Sequence, residues 1–370
     1  MLVVEYTHEH AARVKAFNER LRSAGSLLQF AADPGHSHDL VGVENEIRHR
    51  HFIAADDDGV VRGAYTLISQ QFSIVESLEQ LSFLQIPISE GIVNPAFGAV
   101  GLFLLKDALR RSPFLFGLGM GGIDRPLPKL FRLLGAEVRE VPFYFLVASP
   151  PAFLRNTAAL RKTPGRRIAS EVAASSGLGD LAIGILNRWR GRAAIRRKRL
   201  QFDVVREFPD CVDEVWSAVR SKYSLISVRN RETLEYLYPF SDSRYRRLLV
   251  RDGSRPVGWA LVTDSQMRGH NHFGDMRVGA VVNCLSLPAE EDVVIGAATA
   301  FLRESGVDLI VSNQSHRDWG KAFERAGYSQ HRSNFVFASA KALTRRIRNV
   351  DVNLERIYLN RGDGDGAYNL

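Results

Sequence analysis

Cysteine is scarce in this 370-residue chain, which has only Cys211 and Cys284. Two cysteines cannot build a disulfide framework, and they fit a reducing compartment such as the cytosol. Long apolar runs are also missing, because no stretch reaches the roughly 18 consecutive apolar residues of a membrane-spanning helix. The first residues, MLVVEYTHEH, lack a basic stretch followed by an apolar one. We therefore expect no signal peptide and a cytoplasmic location.

Excess charge is confined to one segment. The chain is 45% hydrophobic and 24% charged, the mix of a folded globular protein, and its net charge is +8. Residues 155–199 hold twelve lysines and arginines against two acids, a net +10 that leaves −2 for the rest. Because the positive charge is local, the sequence gives no reason to expect a nucleic-acid partner.

The chain repeats one pattern of elements. FIAADDDGVVRGAYTLIS and LLVRDGSRPVGWALVTD each read as an apolar strand, an Asp/Gly turn and a second strand. Each copy continues as a buried strand, a turn, a helix ending in glycine, and a strand ending in Ala-Ser. Gly63 and Gly135 are 72 residues apart, and Gly258 and Gly327 are 69 apart. We interpret this as two copies of one fold.

One stretch of the first copy has the parts of a phosphate cradle. It reads SEGIVNPAFGAVGLFLLKDALRR from Ser89: an apolar strand end, a break at Asn94-Pro95, small residues and a helix. At a helix start the backbone N–H groups point at an anion, and the helix dipole favours its charge. Small residues let the backbone approach closely. The stretch therefore predicts a site for a phosphate-bearing ligand.

This loop and the order of elements resemble the GNAT (general N-acetyltransferase) superfamily in its tandem form, over nearly the whole chain outside the basic segment. In that superfamily a strand ending in Val-x-Pro precedes a loop of the form Arg/Gln-x-x-Gly-x-Gly/Ala. Here Val-Asn-Pro at 93–95 matches the strand end, and Gly101 matches the first loop glycine. Gly98 replaces the Arg/Gln, and the bulky Phe103 replaces the last small residue.

The resemblance implies an α/β fold of two GNAT-like domains, each a twisted mixed sheet flanked by helices. We place the first domain at 1–154 and the second at 201–345. A basic, partly helical linker at 155–200 joins them, and a tail follows at 346–370. Bacterial tandem proteins of this look often accompany polysaccharide or envelope assembly, so the resemblance points to that setting.

The resemblance also implies acetyl-coenzyme A, or another acyl-coenzyme A, as the cofactor of the first copy. In the superfamily the loop cradles the pyrophosphate, and the splayed strand end offers an N–H to the thioester carbonyl. In the second copy Glu290, Glu291 and Asp292 stand at the helix start, where they would repel a pyrophosphate. The predicted coenzyme-binding residues are Ile92, Val93, Asn94, Gly98, Ala99, Val100, Gly101, Leu102 and Gly119.

Transfer of an acyl group to an amine requires a base, and a positioned base contributes roughly 10²–10⁴-fold. Glu90 is the candidate base, and its alternative role is to cap a strand end in solvent. Tyr144 is the candidate acid for the leaving thiolate, or else a core tyrosine. His316 either serves the acceptor or lies at a helix start that Ser315 caps. The two histidines of GHNHFGD lack a third ligand nearby, so we expect no metal.

The leading hypothesis is an N-acyltransferase that moves an acyl group from coenzyme A to an amine. By analogy the acceptor is an amino sugar or another small or carrier-linked envelope precursor. One alternative is a Fem-type aminoacyl transferase whose basic linker holds RNA, although the long helical hairpin of those enzymes is not visible. Another is a degenerate pair acting as a binding scaffold, which Phe103 and the acidic second loop favour. Coenzyme binding separates the first hypothesis from the others.

The basic segment carries a hypothesis of its own. Between 187 and 199 its basic residues alternate with Trp189 and small or apolar residues. Such a segment can lie on an anionic membrane, where each Lys or Arg is worth about 1 kcal/mol. The protein would then be cytoplasmic with peripheral attachment at the inner membrane. The alternative is a solvated helix whose charges pair with acids of the two domains.

Overall fold

The two sequence copies fold into two units, and each unit is drawn from two separate stretches of chain. In the computed structural model, unit 1 consists of Met1–Glu140 and Asn334–Leu354, and unit 2 of Val141–Ser333 and Glu355–Leu370. Each has a mixed β-sheet flanked by helices, which confirms the predicted α/β class. The structure describes residues 1–34, 39–42, 45–75, 77–156, 201–270 and 273–364.

Unit 1 is centred on long strands rich in β-branched and aromatic residues, which favour a pleated, half-buried surface. Its elements are β1 (Leu2–Glu5), α1 (Ala11–Ser23), β2 (Leu40–Val41), β3 (Glu46–Ala55), β4 (Val61–Ile74), β5 (Ser77–Ser89), α2 (Val100–Arg111), β6 (Leu115–Gly119), α3 (Pro126–Leu133), β7 (Glu137–Glu140), β16 (Val336–Ser339) and α9 (Lys341–Arg348).

The sheet of unit 1 runs in the order β1-β3-β4-β5-β6-β16-β7, and β2 pairs with β3. Within it β5 and β6 are parallel, and their pairing is limited to Ser82 with Leu115 and Phe83 with Phe116. β5 continues to Ser89 and β6 to Gly119 without further pairing between them. The C-terminal ends of these two strands therefore separate at one edge of the sheet.

Unit 2 repeats this plan, with a sheet in the order β15-β8-β14-β13-β12-β11-β9. Its parallel pair, β13 and β14, is in register over 278–280 and 309–311 and then also separates. The elements of unit 2 are β8 (Phe143–Val147), α4 (Pro150–Asn156), β9 (Gln201–Val205), α5 (Cys211–Val219), β10 (Ile226–Ser227), α6 (Arg231–Leu237), β11 (Tyr245–Asp252), β12 (Arg255–Gln266), β13 (Arg277–Ser286), α7 (Glu291–Glu304), β14 (Leu309–Asn313), α8 (Arg317–Arg325) and β15 (Ser329–His331).

The two copies exchange their last strands. β16, which ends the second copy, lies between β6 and β7 in the sheet of unit 1, with Val336 opposite Gly119. β8, which ends the first copy, lies beside β14 in unit 2, with Val147 opposite Leu309. The units therefore do not follow the continuous boundaries 1–154 and 201–345. Both strands are apolar and lead into the same Ala-Ser, so local sequence cannot tell which sheet each joins.

Equivalent glycines allow the same close packing of a helix on the sheet in the two units. A Cβ on Gly63 of β4 would lie 2.9 Å from side chains of Val100 and Leu104 on α2. A Cβ on Gly258 of β12 would lie 2.7 Å from Val294 on α7. In both units the missing side chain lets the helix that follows the parallel strand approach the sheet closely. This agreement supports the interpretation of the sequence as a duplication.

The linker is largely outside the described residues. Arg155 and Asn156 end α4, and the description resumes at Gln201. The hypotheses on 157–200, including the partly helical linker and the membrane-binding stretch at 187–199, therefore fall outside the described residues. Within the described ranges, no helix is both long enough and apolar enough to cross a membrane.

Candidate coenzyme site

β5 bends before it reaches the predicted loop. Ile86 has a φ of 43°, and the register with β4 shifts there, since Thr66 lies opposite Gln85 but Ala64 lies opposite Ile88. An extra residue of this kind is a bulge, which bends and twists its strand. The bulge lies beyond the last residue of β5 that pairs with β6, in the part of the strand that leads to the loop.

The strand end predicted at 92–93 is a tight turn instead. A 3-10 turn, Glu90–Ile92, follows β5, and the N–H groups of residues 93–94 both donate to the Glu90 carbonyl oxygen, at 3.1 and 2.9 Å. The N–H of Val93, a predicted coenzyme-binding residue, is thus engaged within the protein. Gly91 makes the turn possible, because a Cβ there would come within 2.6 Å of the Phe97 carbonyl oxygen.

The loop after this turn is exposed and internally ordered. The Asn94 side chain accepts a hydrogen bond from the Ala96 N–H at 3.0 Å and so starts a second 3-10 turn, Pro95–Phe97. Most residues of 94–99 are exposed, and Phe97 is half-buried against the core of unit 1. The predicted Asn94 therefore organises the loop through its side chain.

The first turn of α2 is an open helix N-terminus. The Phe103 N–H donates to the Ala99 carbonyl at 3.1 Å, so the N–H groups of 99–102 belong to the turn that a helix leaves without intrahelical partners. In the described part of the chain no side chain caps this end, and the first turn contains no acid. The positive end of the helix dipole is therefore not neutralised from within the helix.

The two glycines near this helix start have different surroundings. A Cβ on Gly101 would make only ordinary contacts, 3.6 Å from Leu130 and 3.7 Å from the Ser89 hydroxyl oxygen. A Cβ on Gly98 would come within 3.2 Å of the Pro95 carbonyl oxygen. Gly98, Ala99, Val100, Gly101 and Leu102 thus lie together at the start of α2, and their role in binding the anionic group of a coenzyme A stays a prediction.

Phe103 lies on the solvent side of α2. Its side chain is 36% exposed, whereas the core-facing side of α2 is formed by Val100, Leu104 and Leu105. Its N–H is already used in the first helical hydrogen bond. The departure from the superfamily pattern therefore lies on the solvent side of the helix, away from its packed face.

Gly119 begins a run of residues in the left-handed region. The φ values are 95° for Gly119, 61° for Met120, 74° for Gly121 and 124° for Gly122. Glycine adopts such values freely, whereas Met120 is a non-glycine exception. These positive φ values lie in the sequence GLGMGG at 117–122, at the end of β6 and directly after it.

Glu90 is a buried ion-pair partner. It is 5% exposed, and its carboxylate accepts hydrogen bonds from Arg20 at 3.1 and 3.2 Å and from Arg62 at 3.0 Å. Burial raises the pKa of Glu90, but the hydrogen bonds and charges of the two arginines outweigh it and leave the pKa below its ordinary value. A general base works best with a pKa near the working pH, so this setting does not favour that role, which stays a prediction.

Tyr144 lies in unit 2, because β8 belongs to the sheet of that unit. Its ring is buried and stacks on Phe323 with 5.2 Å between centroids. Its oxygen lies against Gly320, where a Cβ would clash with it. Burial raises the pKa of Tyr144 to about 12. The structure thus places Tyr144 as a core residue of unit 2, whereas the predicted coenzyme loop belongs to unit 1.

His316 caps α8, the role that the alternative interpretation gave to Ser315. Its Nδ1 accepts a hydrogen bond from the Asp318 N–H at 3.3 Å, and the residue is 6% exposed. Ser315 instead donates to the Ile357 carbonyl and accepts from the Leu359 N–H, both at 2.7 Å. The helix-start role is therefore correct, and its cap is the histidine.

A segment near the C-terminus, residues 357–363, lies at the separated strand ends of unit 2. We call it the C-terminal segment. On the β13 side, the Tyr358 hydroxyl donates to the Cys284 carbonyl, and the Asn360 amide donates to the Asn283 side chain at 2.9 Å. Tyr358 and Asn360 are both buried. The segment thus contacts the half of β13 that no longer pairs with β14.

The same segment contacts the end of β14. The Ser315 N–H donates to the Leu359 carbonyl at 2.9 Å, and Gln314 and Asn360 form an isolated antiparallel bridge. Arg361 donates to the Asn313 side chain at 3.1 Å. The C-terminal segment therefore lies between the ends of β13 and β14. These residues belong to the stretch 346–370, which is predicted from the sequence as a C-terminal tail.

A buried ion pair fastens the C-terminal segment. Arg229 and Asp363 have side chains that are 1% exposed, and Arg229 donates to both Asp363 oxygens at 2.9 and 2.8 Å. Arg229 also donates to Asn283 at 2.9 Å, and Ser227 donates to Asp363 at 2.5 Å. Burial lowers the pKa of Arg229, but the Asp363 charge and the other groups around it together outweigh burial and leave the pKa above its ordinary value. Removing one partner of such a pair costs about 3–5 kcal/mol.

The acids predicted at the second helix start are there. Glu291 and Asp292 lie in the first turn of α7, where their charge suits the helix dipole. Glu291 pairs with Lys222 at 2.8 Å, and Asp292 pairs with Arg325 at 2.7 Å. This helix start is thus already supplied with negative charge, unlike that of α2. Within the described ranges, no group of three or more His, Cys, Asp or Glu side chains is placed to hold a metal ion.

The sequence reasoning missed Arg20, Arg62 and the C-terminal segment. Arg20 and Arg62 are 70 and 28 residues from Glu90, and Arg229 is 134 residues from Asp363. No local pattern encodes such pairings. The available signal was the presence of lone charged residues beside apolar runs, which need a buried partner if they are enclosed.

Comparisons with known proteins give likeness of fold alone. No protein-family model and no curated protein sequence match the chain. Among solved structures, a GCN5-related N-acetyltransferase from Anabaena variabilis aligns at 8% identity and a TM-score of 0.48, over 92% of this chain and 72% of that one. Saccharomyces cerevisiae N-myristoyltransferase with bound myristoyl-CoA aligns at 7% identity and 0.48, over 92% and 78%. These neighbours are N-acyltransferases, and at such TM-scores nothing about the activity of this chain follows.

Proposed function

We propose that this protein is an N-acyltransferase that takes an acyl group, acetyl by default, from coenzyme A and binds one coenzyme per chain, in unit 1. The acceptor is an amine, and an amino sugar or carrier-linked envelope precursor is our first choice. This assignment joins the sequence resemblance to the geometry of the loop between β5 and α2.

One observation carries the proposal: the uncapped and acid-free start of α2 at the separated ends of β5 and β6. Backbone N–H groups at a helix start are a ready site for an anion such as a pyrophosphate. Residues 98–102 would hold that group through their backbone, and Gly101 would let it approach. When bound, the coenzyme would supply an acyl group already activated as a thioester.

Binding of coenzyme A tests this proposal directly. Acetyl-coenzyme A, longer acyl thioesters and free coenzyme A should each raise the melting temperature, since a ligand at about 100 times its Kd adds about 2.7 kcal/mol to the free energy of unfolding. The acyl series should rank the chain lengths that the protein accepts. If none of these compounds raises the melting temperature or gives heat in calorimetry, the proposal fails.

The basic stretch 187–199 belongs to the proposal as a way to reach a lipid-linked acceptor. Sedimentation with anionic vesicles should retain the protein at low salt and release it at high salt. Neutralising Arg196, Arg197, Lys198 and Arg199 should weaken retention and leave turnover of a soluble amino sugar unchanged. Absence of sedimentation at low salt would remove this part and leave the acyltransferase proposal intact.

A scaffold without catalysis is the second candidate, and one observation favours it. The N–H groups of residues 93–94 are bonded to the Glu90 carbonyl, and the Glu90 carboxylate is bonded to two arginines. The Val93 N–H and the Glu90 carboxylate are therefore both engaged within the protein in this arrangement. A protein that binds acetyl-coenzyme A but releases no thiol with any amine would be such a scaffold.

A further inference from the structure

Glu90 stands at the centre of a charged network between three parts of unit 1. Arg20 comes from α1 and also donates to the Val61 carbonyl at the start of β4, at 2.5 Å. Arg62 comes from β4, and its Nε donates to Asp56 in the β3–β4 turn at 2.8 Å. Glu90 itself opens the turn that leads from β5 into the loop. Its carboxylate thus ties α1 and the β3–β4 hairpin to the end of β5.

The network reaches the loop through an aromatic ring. The Arg62 guanidinium lies over the Phe97 ring, 4.2 Å from its centroid. A guanidinium at this distance is attracted to the face of the ring, and more strongly so when both are partly withdrawn from water. The side chain of Arg62 is 18% exposed, and Phe97 is half-buried. Phe97 is also the residue whose carbonyl lies against Gly91.

We propose that Glu90 is a positioning residue for the coenzyme loop. It orients Arg62, Arg62 holds Phe97, and Phe97 fixes the loop 94–99 that places the start of α2. The part of this inference that concerns coenzyme affinity rests on the proposed function. The part that concerns the order of the loop does not, because it depends only on contacts within unit 1.

Hydrogen exchange of the free protein tests the order of the loop. The N–H groups of residues 93, 94, 96, 97 and 98 all make hydrogen bonds within the turn and loop. Glu90→Gln should speed their exchange by about tenfold or more, because the amide cannot replace the charge that binds two arginines. Glu79→Gln is the matched control, since Glu79 lies on the same strand and pairs with Arg346 far along the chain from the loop. It should leave these amides unchanged.

A milder variant keeps the inference testable if Glu90→Gln does not fold. Phe97→Leu removes the ring beneath Arg62 and leaves the Glu90 ion pairs in place. It should speed exchange of the same amides, by less than Glu90→Gln. In the double variant the two effects should fall short of their sum, because both act through one chain of contacts.

Coenzyme affinity separates positioning from general-base catalysis. Glu90→Gln should weaken binding of coenzyme A alone by about tenfold, which is about 1.4 kcal/mol. With acetyl-coenzyme A and an amino sugar, KM for the thioester should rise and kcat should stay. Glu90→Asp should recover part of the affinity. A fall in kcat with unchanged affinity would overturn the inference in favour of a base.

Unchanged loop exchange in both Glu90→Gln and Phe97→Leu would also overturn it. If the unaltered protein binds no coenzyme A, the proposed function fails, and the exchange experiment still decides whether Glu90 orders the loop.

Discussion

Unit 1 and unit 2 share one strand pattern and differ in what lies at the separated ends of their parallel strands. In unit 1 the ends of β5 and β6 lead to exposed loop residues and an uncapped, acid-free start of α2. In unit 2 the ends of β13 and β14 enclose the C-terminal segment, and the start of α7 carries Glu291 and Asp292. The two units thus share the same strand pattern, and among the described residues only unit 1 has an uncapped, acid-free helix start after its parallel strand.

The two units use different residues at the opening between their parallel strands. Unit 2 fills its strand opening with Tyr358 and Asn360 and locks it with the Arg229–Asp363 pair, so the space is part of its core. Unit 1 uses its charged network, Arg20, Arg62 and Glu90, to hold the loop beside the opening. In both units arginine pairs with a buried carboxylate. In unit 2 this ion pair fixes the C-terminal segment in the strand opening, and in unit 1 it holds the loop beside the opening.

The largest expected effect comes from removing the Arg229–Asp363 ion pair of unit 2. Asp363→Asn should lower the free energy of unfolding by about 3–5 kcal/mol, because Arg229 keeps its charge in a fully buried position. Urea denaturation of the full chain measures this loss. Asp203→Asn is the control in the same unit, since its pair with Arg251 is exposed and should be worth about 0–1 kcal/mol. Equal losses of unfolding free energy in the two variants would contradict a stabilising role of the Arg229–Asp363 pair.

The next effect concerns the open helix start. Gly101→Glu should weaken coenzyme A binding by more than about 100-fold, because it adds a negative charge where we place the pyrophosphate. Gly101→Gln has nearly the same shape without the charge and should lose less, since a Cβ finds ordinary contacts at this position. Calorimetry on the folded variants gives both affinities.

A matched change in unit 2 sharpens this test. Gly296 lies in α7, and Gly296→Glu should leave coenzyme affinity unchanged if the protein folds. Gly101→Glu binding as tightly as the unaltered protein would remove the loop of unit 1 as the coenzyme site.

The smallest effect is a pH dependence of the charged network in unit 1. The pKa of Glu90 lies below its ordinary 4.5 in the folded protein, so its ion pairs stabilise the fold fully above about pH 4.5. The stabilisation is lost as the pH falls through the lowered pKa, where the carboxylate takes up a proton. The stability difference between the unaltered protein and Glu90→Gln should therefore be constant near neutral pH and shrink below pH 4.5. A difference that grows on acidification would contradict the pairing.

Local signals in the sequence predicted much of the fold. The Asp/Gly turns predicted the hairpins, and the paired glycines predicted the duplication, because turn chemistry and close packing depend on a few neighbouring residues. The exchange of β8 and β16 was not predictable. Both strands are short and apolar, and their partners are chosen by the whole sheet.

In the candidate site, too, local features were predictable from the sequence and long-range contacts were not. The small residues at 98–101 and the helix start could be read from the sequence, because capping and helix dipoles are local properties. The sequence predicts Glu90 as a base or a strand-end cap and not its ion pairs, because Arg20 and Arg62 are distant along the chain. Tyr144 falls within the predicted first domain, whereas the structure has it in unit 2, because β8 joins the sheet of that unit.

Titration calorimetry with acetyl-coenzyme A tests most directly the central claim. The claim is that the start of α2 in unit 1 is available to a coenzyme, whereas the strand opening of unit 2 is filled by the C-terminal segment. The account predicts one coenzyme per chain, a binding signal that Gly101→Glu removes and that Gly296→Glu leaves in place. Two coenzymes per chain, or one that persists in folded Gly101→Glu protein, would contradict it.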